Sequence, residues 1–177
     1  MALPKTIDAL WSELQAVRAD VLAEVAGLAQ RQADWRPAEK EWSVGEVLDH
    51  LAIVEVGTGK LTSKLLKAAG PEGVFPPDLD ELPALPDVPS SMEAPALVWP
   101  QHGQPIGELL DTLRATRERS RQSVERLAGC DPRSLVFKHF RLGDLDLLQW
   151  WRLVARHDRI HLAQIRAVKA APGFPGA

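Results

Sequence analysis

Apolar residues recur at a spacing of three and four in four separate segments of the chain, and this periodicity constrains the fold more than any other feature. The spacing places the apolar side chains on one face of an α-helix. The four segments cover approximately residues 5–30, 43–69, 106–127 and 144–170. Four helices with one apolar face each can bury those faces against one another. The sequence therefore predicts an all-α protein, a four-helix bundle.

The second helix has the strongest start signal of the four. Ser43 is followed three residues later by Glu46. This pair predicts a capping box, in which each side chain accepts a hydrogen bond from the other residue's backbone amide. Trp42 and Val47 are placed to form the hydrophobic staple that accompanies such a box. Gly70-Pro71 predicts the end of the same helix.

The connection between the second and third helices is unusually long. Residues 71–105 contain nine of the fourteen prolines and no periodic pattern. A helix of about 25 residues is roughly 38 Å long, and about 35 residues of extended chain span more than that. The segment can therefore run along the bundle as a crossover that leaves helices two and three parallel. Val98 and Trp99 are its predicted anchors.

The other connections are shorter. Residues 31–42 contain one proline and two tryptophans. Residues 134–140 are the one strand candidate, so we expect no sheet. Asp144 is the predicted N-cap of the fourth helix, and Asp146 falls in its first turn, where a negative charge suits the helix dipole. We expect a single domain over residues 1–177.

Charge and composition exclude several classes of protein. The net charge of −3 and the pI near 6.0 argue against a nucleic-acid-binding surface. Arginines cluster between Arg114 and Arg126, but interleaved acidic residues predict a solvated helix face. The single cysteine, Cys130, excludes an intrachain disulfide and fits a cytoplasmic protein. We expect no signal peptide, because the N-terminus has no basic region followed by an apolar stretch. We expect no membrane partner, because no apolar run approaches the ~20 residues that span a bilayer.

Two histidines lie four residues apart on the apolar face of the fourth helix, His157 and His161. That spacing stacks two side chains on one face, and burying them without partners is costly. A divalent metal ion is the obvious partner. Since helices of a bundle lie about 8–10 Å apart, His50 on the second helix is the predicted third ligand. The alternative is a set of core or cleft histidines with ordinary hydrogen bonds.

Three protein ligands leave coordination positions open, which is typical of a catalytic or ligand-binding metal site. Zinc and nickel are the expected ions, with iron, manganese and cobalt as alternatives. Such an ion lowers the pKa of a bound water or thiol. His139 and Trp42 are candidates for contacts around the ligands or in the cleft. An exposed loop is the alternative position for His139, and His102 receives no role.

Three sequence segments together resemble the DinB-like superfamily. They are WSVGEVLDHL at 42–51, LGDLDLLQW at 142–150 and HDRIHLAQI at 157–165. The resemblance implies a four-helix bundle with a long crossover between helices two and three. It also implies a divalent metal, often nickel or zinc, held by His50, His157 and His161. Related families include S-transferases that use bacillithiol or mycothiol, and a mycothiol-dependent maleylpyruvate isomerase.

The open site and the resemblance together favour a metal-dependent S-transferase of detoxification, with a small thiol and an electrophile as partners. A non-catalytic, stress-induced protein that binds a metal or small molecule is the alternative. A metal-dependent hydrolase is a third interpretation. Asp49 and Asp158 adjoin ligands in sequence, but adjacent helix positions point about 100° apart, which weakens the hydrolase. A homodimer is a further expectation.

Overall fold

The computed structural model describes residues 3–70, 73–87 and 94–176. These residues form five α-helices and one β-hairpin. The elements are α1 (Lys5–Glu24), α2 (Gln30–Asp34), α3 (Val44–Ala69), α4 (Ile106–Glu125), β1 (Val136–His139), β2 (Gly143–Asp146) and α5 (Leu147–Ala170). The four long helices, α1, α3, α4 and α5, form a four-helix bundle, as the periodicity predicts. Within the described ranges, no helix is long and apolar enough to cross a membrane.

The long helices pack as a ring in which α1 and α3 each contact both α4 and α5. Gly45, at the start of α3, lies against Leu109, and Gly59 lies against Ser123. The start of α3 therefore lies beside the start of α4, and later residues of α3 lie beside later residues of α4, so the two helices are parallel. A parallel pair needs a connection that returns along the bundle, and the proline-rich crossover makes this return.

Helix α5 runs antiparallel to α3. His50, near the start of α3, contacts His157 in the middle of α5, whereas Thr62, near the end of α3, accepts a hydrogen bond from Trp151 near the start of α5. The buried face of α5 therefore meets the buried face of α3 along most of its length. This pairing places residues that are distant in sequence on opposite walls of one groove.

The apolar core consists of two clusters, one at each end of the bundle. The first joins the start of α1, the end of α4 and the start of α5, and includes Ile7, Leu14, Val124, Leu148 and Trp151. The second joins the end of α1, the start of α3 and α4 and the end of α5, and includes Val21, Val47, Leu51, Leu113 and Ile165. Burial of these side chains is the main driving force for the bundle.

A layer of four buried charged residues, one from each long helix, separates the two apolar clusters. Arg18 Nη2 lies 2.9 Å from Glu55 Oε2 and 3.1 Å from Asp158 Oδ1. Arg117 Nε lies 2.8 Å from Glu55 Oε1, and its Nη2 lies 3.0 Å from Asp158 Oδ2. The two arginines and two carboxylates neutralise one another. We call these residues the charged layer.

The charged layer corrects the prediction that the arginines of 114–126 are solvated. Arg117 is only 4% exposed, because it points between the helices toward Glu55 and Asp158. Charge pattern within α4 could not reveal this, since its two partners are 62 and 41 residues away in the chain. Neighbouring Arg114 and Arg121 are exposed and pair with acidic residues of α4 itself.

The capping box predicted for the second helix is confirmed at the start of α3. The amide of Glu46 donates to Ser43 Oγ at 3.2 Å, and the amide of Ser43 donates to Glu46 Oε2 at 2.9 Å. The helix ends at Ala69, and Gly70 follows with a φ of +88°. Pro71, the other half of that stop signal, lies outside the described residues.

The first helix is shorter than predicted. It ends at Glu24, and Gly27 follows with a φ of +77°, a left-handed conformation that glycine adopts without strain. The short helix α2 then occupies part of the predicted 31–42 connection.

A β-hairpin precedes α5, so the expectation of no sheet is wrong. Strands β1 and β2 pair antiparallel, from Val136 opposite Asp146 to His139 opposite Gly143. The predicted N-cap Asp144 belongs to β2, and Asp146 caps the helix instead, accepting from the amide of Gln149 at 2.9 Å. The segment Gly-Asp-Leu-Asp has low strand propensity, so only its partner strand gives it this structure.

The described parts of the crossover are held at two places. Phe75, Leu79 and Leu82 pack against the first apolar cluster. The second place is the short 3-10 helix Ala96–Val98, which contacts α3. Of the two predicted anchors, Val98 is half-buried and reaches His50 through its carbonyl oxygen. Trp99 is 58% exposed, so the prediction that it anchors the crossover is wrong.

Candidate metal centre

The structure brings the three predicted histidine ligands together between α3 and α5. His50 Nε2 lies 3.0 Å from His157 Nε2, although the two residues are 107 positions apart in the chain. His161 Nε2 lies 3.0 Å from the same His157 atom. The candidate ligand nitrogens of all three lie within 4.8 Å of one another. We call these three residues the histidine cluster.

Hydrogen bonds to the outer ring nitrogens set the tautomers of two of these histidines. His50 Nδ1–H donates to the carbonyl oxygen of Val98 at 2.7 Å. His161 Nδ1–H donates to Gln164 Oε1 at 2.7 Å. A neutral imidazole has one N–H, so the Nε2 atom of each carries a lone pair. Such an acceptor on the outer nitrogen is also the usual arrangement around metal-bound histidines.

His157 faces both of these lone pairs. If its Nε2 carries the proton, it can donate to only one of the two neighbours. If its Nε2 carries a lone pair, three lone pairs converge with no proton between them. Its other nitrogen, Nδ1, is buried and has no hydrogen-bond partner among the described residues. A divalent cation accepts all three lone pairs at once, so the cluster fits such an ion.

Burial keeps the three imidazoles in the neutral form that binds metal. Desolvation lowers the pKa of His50, and the Val98 carbonyl partly opposes this effect. Desolvation, followed by the neighbouring His161 and His50, lowers the pKa of His157 well below its ordinary value. Desolvation and then His50 lower the pKa of His161 to about 4. All three rings are therefore uncharged at neutral pH.

Trp42 covers part of the histidine cluster. Its ring centroid lies 4.8 Å from that of His50 and 6.3 Å from that of His161, with the latter pair nearly parallel. The capping box positions Trp42, because Trp42 precedes Ser43. The structure thus places Trp42 against two of the rings and in the wall of the cleft.

The histidine cluster lies in the wall of a cleft of about 1220 Å³. One face of α3 supplies His50, Val54 and Leu61 to this cleft, and one face of α5 supplies residues from Trp150 to Val168. Segment 94–100 of the crossover contributes the edge above His50. Cavities of this size hold small organic ligands.

His139 lies at the other end of the same cleft, in the hairpin. It is 7% exposed, so the alternative of an exposed loop histidine is wrong. Its ring centroid lies 5.2 Å from that of Trp150 and 4.5 Å from that of Phe140. Among the described residues it makes no hydrogen bond to the histidine cluster, so it lines the cleft and does not orient a predicted ligand.

The carboxylates next to the histidines are engaged elsewhere. Asp158 belongs to the charged layer, and Asp49 Oδ2 accepts from the amide of Gln101 at 2.8 Å. Glu46 lines the cleft, but it is paired with Arg36, whose Nε lies 2.8 Å from Glu46 Oε2. Asp158 and Glu46 are thus held by arginines, and Asp49 is held by the crossover segment through one of its two oxygens.

Sequence reasoning missed two groups that hold the histidines. Gln164 is three residues after His161 on the same helix, and that spacing was a usable signal. The acceptor for His50 is a backbone carbonyl, that of Val98, which carries no side-chain signal at all. The charged layer was also missed, because it assembles from four helices.

Fold and site together define a class: an all-α bundle whose converging, neutral histidines are compatible with a divalent metal site in an open cleft. The chain belongs to the DinB superfamily, whose sequence profile matches residues 13–165. That range contains His50, His157 and His161 and most of the bundle. The family resemblance of the sequence is therefore confirmed.

Two known proteins resemble this chain. The uncharacterized protein YuaE of Bacillus subtilis (strain 168) is 26% identical over 153 residues, which cover 86% of this chain and 92% of YuaE. The crystal structure of TT2238, described as a four-helix bundle protein, aligns with a TM-score of 0.64 and 23% identity, covering 92% of this chain and 99% of TT2238. This structural likeness shows the fold alone. Neither name states a reaction, and a shared fold does not by itself define one.

Proposed function

We propose that this protein is a divalent-metal-dependent S-transferase that joins a small thiol to an electrophile. His50, His157 and His161 are the proposed ligands. The observation that carries the proposal is the position of the cluster, whose three ring nitrogens lie in the wall of a 1220 Å³ cleft. Within residues 3–70, 73–87 and 94–176, no fourth acidic or cysteine side chain joins the group. A site of this kind leaves room for an external ligand.

A divalent ion in the cluster would supply positive charge that lowers the pKa of a thiol and holds it as thiolate. The chain supplies the rest of the environment. Three neutral imidazoles leave that charge uncompensated, and Val98 and Gln164 hold two of the rings in the ligating tautomer. Trp42 covers one side of the cluster by lying against the rings of His50 and His161. The sulfur forms a C–S bond to the electrophilic carbon, the leaving group departs with its bonding pair, and the thiol proton passes to solvent.

The shape of the cleft favours an enzyme over a closed binding protein. Trp42 and Trp150 line the walls and leave the space between them open. Trp151, the third tryptophan that could have sealed the site, is fully buried in the first apolar cluster. A purely structural site would be closed by protein ligands.

The same geometry weighs against a hydrolase. Hydrolysis by a metal-bound water is usually assisted by a nearby general base. Asp158 and Glu46 form ion pairs with arginines, and Asp49 accepts a hydrogen bond from the crossover segment. Transfer of a thiol group needs no protein base of this kind, because an ion held by His50, His157 and His161 would lower the pKa of the thiol.

The first test is the metal content of untagged protein, for the wild type, His157→Ala and His102→Ala. His102 is exposed and lies outside the cluster, so its variant is the matched control. We expect one zinc or nickel ion per chain in the wild type and in His102→Ala, and loss of the ion in His157→Ala. Equal metal content in all three proteins would refute the assignment of the ligands.

The second test is turnover by the zinc- and nickel-loaded proteins. Cysteine and 2-mercaptoethanol serve as thiols, and monochlorobimane serves as an electrophile whose chloride is displaced. We expect fluorescent thioether to form faster with the loaded wild type than without protein. A chelator or the His157→Ala substitution should remove this rate enhancement. Metal binding without any enhancement would leave a metal-binding protein and refute the transferase.

A further inference from the structure

His139 is held in an orientation that the proposed metal chemistry does not use. Its Nδ1 accepts hydrogen bonds from the amides of Arg141 and Leu142, both at 3.2 Å. A nitrogen that accepts from two N–H groups carries no proton, so the proton of the neutral ring is on Nε2. The hairpin turn thus fixes His139 as an N–H donor.

The N–H group at Nε2 of His139 makes no hydrogen bond to the described residues of the protein. The residue lines the cleft. Burial lowers the pKa of His139, which keeps the ring neutral. A nearly buried donor with a free N–H beside an open cavity is suited to an oxygen acceptor of a ligand.

Aromatic surfaces surround this donor. Trp150 and Phe140 lie within 5.2 Å and 4.5 Å of the His139 ring, centroid to centroid. Trp150 is itself fixed, because its indole N–H donates to the carbonyl of Phe137 at 3.1 Å. Phe140 is 59% exposed. Such surfaces favour a flat, unsaturated ligand.

The described residues that line this end of the cleft include no lysine or arginine. The cationic residues of the cleft wall, Arg36 and Lys40, come from the segment that leads to Trp42 at the opposite end. The nearby Lys64 ammonium lies over the Phe137 ring, 5.6 Å from its centroid, and is not part of the cleft wall. A carboxylate bound beside His139 would therefore have no cation in the wall around it. A neutral carbonyl oxygen is the acceptor that matches a neutral donor here.

We propose that His139 binds the carbonyl oxygen of a flat, uncharged substrate that lies against Trp150 in the cleft. Trp150 and His157 are seven residues apart on α5, about 10 Å along the helix axis. A ligand held at the hairpin therefore extends toward the histidine cluster. This inference deepens the proposed function and rests on it for the electrophile: the electrophile would be a planar carbonyl compound that also carries the leaving group displaced by the thiol.

The test must distinguish two roles of His139: a hydrogen bond from Nε2–H to a ligand, and the hydrogen bonds that Nδ1 accepts within the hairpin turn. In His139→Asn, the side-chain oxygen occupies the position of Nδ1 and can still accept from Arg141 and Leu142, but no donor remains at the position of Nε2. Acetophenone and α-methylstyrene are matched probes, because they differ only in a carbonyl that replaces a methylene group. Binding is measured by ligand-observed NMR titration of metal-free protein.

We expect His139→Asn to bind acetophenone about 3- to 10-fold more weakly than the wild type, the range of one neutral hydrogen bond. Binding of α-methylstyrene should be unchanged. Equal acetophenone affinity of the two proteins would overturn the proposal and leave His139 as a turn residue. Equal weakening for both probes would overturn it too, because the substitution would then have altered the cleft wall and not a hydrogen bond.

Metal-free protein keeps this result independent of the transferase. Weaker binding of acetophenone, but not of α-methylstyrene, by His139→Asn, together with no thioether formation by the loaded wild type, would support the carbonyl site and refute the transferase. Thioether formation by the loaded wild type, together with unchanged acetophenone binding in His139→Asn, would support the transferase and refute the carbonyl site. A circular dichroism melt of His139→Asn checks that the hairpin variant folds like the wild type.

Discussion

The charged layer and the histidine cluster are neighbouring polar groups in the same bundle, and both draw on α3 and α5. Asp158 of the layer directly follows His157 of the cluster, and Glu55 lies five residues after His50. Both groups are removed from water, which is costly for polar side chains unless they find partners. The two groups differ in whether the protein itself supplies those partners.

The charged layer is complete within the protein. Both oxygens of Glu55 and both oxygens of Asp158 accept hydrogen bonds from the two arginines. The Nη1 atoms of Arg18 and Arg117 each donate to a backbone carbonyl, that of Leu113 in α4 and that of Leu14 in α1 respectively. Opposite charges are equal in number, so nothing is left over to bind a ligand.

The histidine cluster is incomplete within the protein. Its nitrogens are held toward one another by contacts on the outer side of the rings, and their lone pairs face one point. It also borders the cleft, whereas the charged layer is enclosed by four helices. A self-neutralised group is therefore expected to stabilise the fold, and an unsatisfied one is expected to bind. The following predictions test this distinction.

The largest effect is expected in the charged layer. Glu55→Gln removes one negative charge and leaves two arginines with one carboxylate. Removing one partner of a buried ion pair lowers the free energy of unfolding by about 3–5 kcal/mol. Urea denaturation of metal-free protein measures the change, with Glu125→Gln, in an exposed pair with Arg121, as the control with little effect. A Glu55→Gln protein as stable as the control would contradict the structural role of the layer.

The second prediction concerns the stabilisation that a metal provides. Zinc at 100 times its dissociation constant should raise the free energy of unfolding of the wild type by about 2.7 kcal/mol. His157→Ala should gain none of this, and its metal-free stability should change less than that of Glu55→Gln. Thermal denaturation with and without zinc measures both quantities, and His102→Ala should respond as the wild type does. A His157→Ala protein that zinc still stabilises would place the ion elsewhere.

The third prediction concerns the amide that holds His161. Gln164→Ala removes the acceptor of the Nδ1–H group, so the ring is free to rotate away from the cluster. Loss of such a partner typically lowers metal affinity by about 10- to 100-fold. Competition with a chromophoric zinc chelator measures the affinity. Gln122→Ala, at an exposed position of α4, is the control; equal affinities of the two variants would mean that Gln164 does not orient His161.

The smallest effect is expected one step farther from the cluster. Asp49 accepts from the amide of Gln101 and so holds the crossover segment whose Val98 carbonyl contacts His50. Asp49→Ala should lower zinc affinity by about two- to tenfold, the range of one hydrogen bond. The same chelator competition measures it, with exposed Asp111→Ala as the control. A loss as large as that of Gln164→Ala would make the crossover a primary support of the cluster.

Much of the fold could be predicted because helices carry local signals. The apolar period of three and four residues located all four long helices, and the Ser43–Glu46 pair located the start of α3 to the residue. The hairpin was missed because β2 has no strand propensity of its own and pairs only once β1 is beside it. For the same reason the sequence predicts Asp144 as the cap of α5, whereas Asp146 caps it in the structure.

The candidate site also has some features that local sequence predicts and others that depend on contacts between distant segments. His157 and His161 share a helix, so their spacing alone predicted that they lie together. His50 was predicted from the apolar face of a second helix, and the antiparallel packing of α3 on α5 brings it into contact. The Val98 carbonyl, the free donor of His139 and the burial of Arg117 depend on segments that are distant in the chain.

The sequence by itself determined where the helices lie, which face of each is apolar and which histidines occupy those faces, because these properties depend on residues within a few turns of one another. Only the tertiary structure decided which polar groups are satisfied and which are left open. Whether a buried nitrogen or guanidinium finds a partner depends on what the neighbouring helices and loops place within about 3 Å of it. The carboxylates and guanidinium groups of the charged layer have such partners in the protein, whereas the converging nitrogens of the histidine cluster face only one another.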